Sequence, residues 1–138
     1  MPRAQHRLGR LRARALVELD RKDEALEVYE ALESRFGRAV EVRLRASTSG
    51  AARERAELLV KLGREADAEA LLDRVAGRLE GSVEPRLQRE LAAVLEARAR
   101  LSAKRAPHGG GATRSRARRE AARGRATERD AAAPALDA

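Results

Sequence analysis

The chain has 138 residues, of which 43% are hydrophobic, 38% charged and 1% aromatic, with no Cys, no Trp and a net charge of +8. The absence of Cys excludes a disulfide scaffold, thiol chemistry and Cys-bound zinc. Eight Val, three Thr and no Ile leave little from which to build strands. No apolar run approaches the roughly 20 residues of a membrane span. No apolar segment follows the basic start as a secretory signal would require, so a cytoplasmic chain is expected.

The first predicted element is a helix whose apolar stripe is Leu8, Leu11, Ala15/Leu16 and Leu19, at helical spacing. A polar turn, Asp20-Arg21-Lys22, separates it from a second helix with the stripe Ala25, Val28/Tyr29, Leu32 and Phe36, which Gly37 ends. A third helix follows over 40–62. Its stripe is Ala52, Ala56, Leu59 and Leu62, and Gly63 closes it. Ser47-Thr48-Ser49-Gly50 lies inside that helix, and such residues favour a turn, so a kink or split is expected there. A fourth helix carries Ala68, Leu71/Leu72, Val75 and Leu79. A fifth starts around Ser82–Pro85, with Ser as a favoured cap and Pro tolerated in a first turn, and carries Leu87, Leu91, Val94/Leu95 and Leu101.

Every hydrophobic residue larger than Ala, apart from Met1 and Leu136, falls between Leu8 and Leu101. A helical domain over 1–103 and a tail over 104–138 are therefore expected. The tail opens on a glycine linker, Gly109-Gly110-Gly111, and its Arg, Ala and Gly cannot bury enough surface to order it.

Shifted by 43 residues, the chain matches itself without a gap. Arg12/Arg55, Ala13/Ala56, Leu16/Leu59, Val17/Val60, Leu19/Leu62, Arg21/Arg64 and Ala25/Ala68 are identical, as are Arg35/Arg78, Val40/Val83, Glu41/Glu84, Arg43/Arg86 and Leu44/Leu87. Glu24/Asp67 and Glu30/Asp73 are near-matches. The body therefore reads as two copies of a helix pair and half of a third.

The turn Leu19-Asp20-Arg21 through Glu24-Ala25 to Tyr29, and Leu62-Gly63-Arg64 through Ala68 to Leu72, resembles that of tetratricopeptide repeats, in a long-period bacterial variant. Ala13, Ala56, Ala25 and Ala68 match the family's small positions, and Tyr29 and Leu72 its large one. Asp20 departs from the turn glycine, and Asp67 from the glutamate. The resemblance implies an all-α fold, a short α-solenoid of stacked antiparallel helix pairs. It implies a protein-binding module with no cofactor and no catalysis. The first helix of each pair would line a concave groove for a peptide or helix. On that register the groove residues are Arg10, Arg14, Arg53, Glu57, Lys61 and Arg100, whose basic balance suits acidic side chains or a carboxylate. The family's Asn-containing carboxylate clamp does not transfer, because the chain has no Asn.

No chemistry-bearing motif competes with this reading. His6 and His108 stand in no metal-ligand spacing, and both are expected at the surface. Tyr29 and Phe36 lie on an apolar stripe and are expected in the core. The carboxylate pairs Glu24/Glu27 and Asp67/Glu69 are expected to face solvent, where nothing raises a pKa for acid catalysis. Two alternatives stand beside the binding module. Five arginines, Arg3, Arg7, Arg10, Arg12 and Arg14, precede the first acid, Glu18, and more lie between Arg114 and Arg129. These basic ends suit non-specific contact with nucleic-acid phosphates, without aromatics to stack on bases. Alternatively, the half-repeat at the end marks a piece of a longer array.

Overall fold

The computed structural model describes residues 1–105, with side chains through Lys104. Among these residues there are five α-helices and no strand: α1 (Pro2–Glu18), α2 (Lys22–Phe36), α3 (Val42–Lys61), α4 (Glu65–Leu79) and α5 (Pro85–Arg105). Met1–Leu101 form one compact unit. The expected tail lies outside the described residues from 106 onward.

The 43-residue register of the sequence is carried into the helix boundaries. Adding 43 to Lys22–Phe36 gives 65–79, the bounds of α4. The same shift takes the end of α1 to the end of α3, and the start of α3 to the start of α5.

The turns repeat as well. After α1 the Arg21 N–H donates to the Leu16 carbonyl at 2.8 Å and the Asp20 N–H to Val17 at 2.9 Å. After α3, Arg64 donates to Leu59 at 2.8 Å and Gly63 to Val60 at 2.9 Å. This paired closure needs a left-handed residue just past the helix. Asp20 takes it at φ 62° and Gly63 at φ 77°. Asp is among the few side chains that visit this region, which is why it can stand where the second copy has glycine. The near-match Glu24/Asp67 acquires a cause here: each carboxylate accepts from the arginine three residues earlier, Arg21 (2.8 Å) and Arg64 (2.9 Å).

The two helix pairs are α1 with α2 and α3 with α4, joined through contacts of α3 with α2 and α1. Ala13, Ala25 and Ala68 are fully buried and Ala56 nearly so, where a larger side chain would hold the helices apart. Gly9 makes the same close approach: a Cβ there would lie 2.5 Å from Leu32 Cδ2. Leu26, Tyr29, Leu32 and Phe36 of α2 fill the interior with Leu58, Leu59, Leu71, Leu72, Val75 and Leu79. Leu87, Val94 and Leu101 bring α5 onto the same cluster. Ion pairs tie the elements further: Arg78–Glu33 (2.8 Å) links α4 to α2, Arg53–Glu90 (3.1 Å) links α3 to α5, and Arg98–Asp73 (2.7 Å) links α5 to α4.

Three local expectations are corrected. First, α3 is unbroken through Ser47–Gly50. The hydroxyls do not compete with the helix: Thr48 Oγ1 donates back to the Arg45 carbonyl at 2.8 Å, and Ser47 Oγ turns outward to α1. Second, Leu8, Leu11 and Leu19 are exposed. α1 buries His6, Ala13 and Leu16 instead. Third, His6 is not a surface residue; only 1% of it is accessible. Its ring meets Phe36 edge-on at 5.3 Å between centroids.

Candidate functional site

The most elaborate polar cluster is built around Glu54, in the middle of α3. Arg10 Nη2 donates to Glu54 Oε2 at 2.5 Å, and its Nε lies 3.4 Å from Oε1. Arg14, one turn along α1, donates to Oε2 through Nε at 3.1 Å and also through Nη2. Tyr29 of α2 donates its hydroxyl to Oε1 at 2.9 Å. One carboxylate thus joins three helices. Burial alone would push the Glu54 carboxyl up, but the hydrogen bonds from Arg10, Arg14 and Tyr29 and the charge of Arg10 outweigh it and hold it below the ordinary value. Burial and the adjacent carboxylate push the Tyr29 phenol well above its usual range.

The cluster continues toward the start of α1. Arg10 Nη1 donates to the Ser47 carbonyl and to Ser47 Oγ, both at 3.4 Å. Ser47 Oγ lies 2.8 Å from His6 Nδ1. His6 Nε2 is buried with no partner among the described residues. Burial and the nearby Arg10 charge keep the His6 pKa below its ordinary value, against the weaker pull of Glu54.

Over this cluster lies a groove of about 890 Å³ between α1 and the start of α3. Arg3, Arg7, Arg10 and Arg14 line it from α1 and Arg43 from α3, with Met1, Ala4, Leu11 and Leu44 as its apolar part. Its single carboxylate, Glu41, is already used: it caps α3 by accepting from Arg43 N (3.3 Å) and Leu44 N (3.0 Å). Arg3, Arg7 and Arg43 have no ion pair among the described residues.

Of the six residues expected in a groove, Arg10 and Arg14 line this one, both tied to Glu54. Arg53 is engaged by Glu90, and Arg100 by Glu96 at 3.3 Å on its own helix. Glu57 and Lys61 are exposed, outside this groove. The structure adds Arg3, Arg7 and Arg43. The sequence signal for the first two was available: with Arg10 and Arg14 they fall at i, i+4, i+7 and i+11, one row of a helix. Glu54 could not be found by the repeat, since its counterparts at the 43-residue shift are Leu11 and Ala97. Among the described residues no group of three or more His, Asp or Glu is placed to hold a metal ion, and no helix is long and apolar enough to cross a membrane. No family model, no curated protein and no solved structure matches this chain.

Proposed function

We propose that this chain is a non-enzymatic protein-interaction module of tetratricopeptide-like character, with its helix pairs stacked as a short α-solenoid and a peptide or helix held in the groove between α1 and α3. The observation that carries the reading is that groove: a cleft between α1 and the start of α3, with five arginines, an apolar part and one carboxylate already committed to capping. The 43-residue recurrence of helix bounds, turn geometry and buried alanines supports the stacked arrangement. Arginine's planar fork makes bidentate pairs with carboxylates, so the partner proposed is acidic.

The test is a titration of the ¹⁵N-labelled full chain with a Glu- and Leu-containing peptide. Shifts confined to residues 1–14 and 41–47 are expected. Saturable binding that leaves those amides unmoved, or no binding to acidic peptides at all, would remove the reading.

A further inference from the structure

α1 is a helix built against its own electrostatics. Arg3, Arg7, Arg10 and Arg14 form one row along it, about 17 Å from end to end at 1.5 Å per residue. Like charges three and four residues apart on a helix repel, and a cation in the first turn opposes the helix dipole. No acid accompanies them in that turn. Among the described residues only Arg10 and Arg14 of this row have a carboxylate, and they share the same one.

A second row runs beside the first. Ala4, Leu8, Leu11 and Ala15 follow each arginine by one residue, and so lie about 100° around the helix. Leu8 is 64% exposed and Leu11 49%. Two exposed leucines beside an arginine row that has one carboxylate for four charges among the described residues serve neither the core nor solubility.

Resting on the proposed function, we infer that the groove's partner is an acidic amphipathic helix, lying along α1 at the groove's edge with a row of Glu or Asp against Arg3 and Arg7, which line the groove, and a row of apolar side chains against Leu11, which also lines it, and Leu8, which lies just outside it. Both rows are needed for this assignment. A nucleic acid would use the arginines and leave the leucines in water. An anionic membrane would use both, but interfacial helices carry Trp, Phe or several Leu on the inserted face, and α1 has no aromatic residue and faces a concave cleft. A complementary acid row relieves the repulsion within α1.

The experiment uses the full chain and two synthetic peptides of about 18 residues and identical composition. In one, Glu and Leu form adjacent helical rows. In the other the same residues are permuted so that no face is continuous. The ordered peptide is expected to bind about tenfold or more tightly, and to gain helicity on binding. Leu8→Ser with Leu11→Ser is expected to remove most of that advantage, and Arg3→Glu with Arg7→Glu to abolish binding of both peptides. All four positions are exposed, so neither variant should lower the unfolding temperature, and Arg3→Glu with Arg7→Glu should raise it slightly by placing acids in the first turn of α1. Equal affinity for the two peptides would overturn the helical partner while leaving an acidic-peptide groove in place. No binding of either would remove the proposed function as well. Capture by phosphatidylserine vesicles or duplex DNA in preference to the ordered peptide would assign the face to those surfaces and overturn the inference.

Discussion

Arg10 crosses α3 directly over Gly50: a Cβ placed on that glycine would lie 2.9 Å from Arg10 Nη2 and 3.2 Å from Cζ. The glycine that reads as a helix breaker is the opening through which a guanidinium from α1 reaches Glu54 one turn further on. A helix-interior glycine costs roughly 0.5–1 kcal/mol relative to Ala, and here that cost secures a link between two helix pairs.

Gly50→Ala is therefore expected to change stability by less than about 0.5 kcal/mol, the shift forced on the end of the Arg10 side chain offsetting the gain in helix propensity. In an Arg10→Ala background the same change should stabilise by about 0.5 kcal/mol or more. Urea unfolding of the four-member cycle checks this, and the coupling between the two positions is the diagnostic. Gly77→Ala, in α4 with nothing near its Cβ position, should stabilise by about 0.5–1 kcal/mol in the native background.

Removing the acceptor at the centre of the cluster has a larger effect. Glu54→Ala leaves Arg10 and the buried Tyr29 hydroxyl without their partner and is expected to cost about 2 kcal/mol. Arg14→Ala should cost under about 1 kcal/mol, because that side chain is half exposed and its ion pair is screened. Comparing denaturation midpoints at constant slope separates the two.

The cluster also sets an acid limit. Glu54 ionises at lower pH in the folded chain than in the unfolded one, so its contribution is complete above the unfolded value of about 4.3 and is lost as pH falls through the folded value. His6 acts at higher pH. Its folded pKa is lowered, so the unfolded chain binds the extra proton, and stability declines as pH falls below about 6.5 until the folded value is passed. His6→Phe should remove the decline in thermal stability that begins as pH falls below about 6.5, while leaving the Glu54-dependent loss at lower pH. A curve unchanged by the substitution would show that His6 does not carry the first phase.

The two left-handed turn residues should respond oppositely to substitution. Gly63→Ala, at φ 77° in open space, is expected to cost about 1 kcal/mol. Asp20→Gly should be neutral or stabilising by up to about 1 kcal/mol, since it relieves strain at φ 62° and gives up only an exposed ion pair with Lys22. Thermal unfolding of the two single variants measures both.

Much of this protein follows from local rules. Leu, Ala, Arg and Glu favour helix, and stripes such as Ala25-Tyr29-Leu32-Phe36 and Ala68-Leu72-Val75-Leu79 end up buried because 3.6 residues per turn puts them on one face. The 43-residue self-match foretold helix bounds and turns because each copy faces the same packing problem. What the chain alone did not determine was the role of residues whose partners lie far away in sequence. His6 is buried because Phe36 and Ser47 enclose it; Leu8 and Leu11 are exposed because Gly9 and Ala13, the small residues, let the opposite side of α1 approach α2. An apolar stripe states that a helix has a face to cover. Which of two candidate faces meets the core depends on where the neighbouring helices come closest, and that is settled by side-chain size at contacts between residues 20 to 45 positions apart.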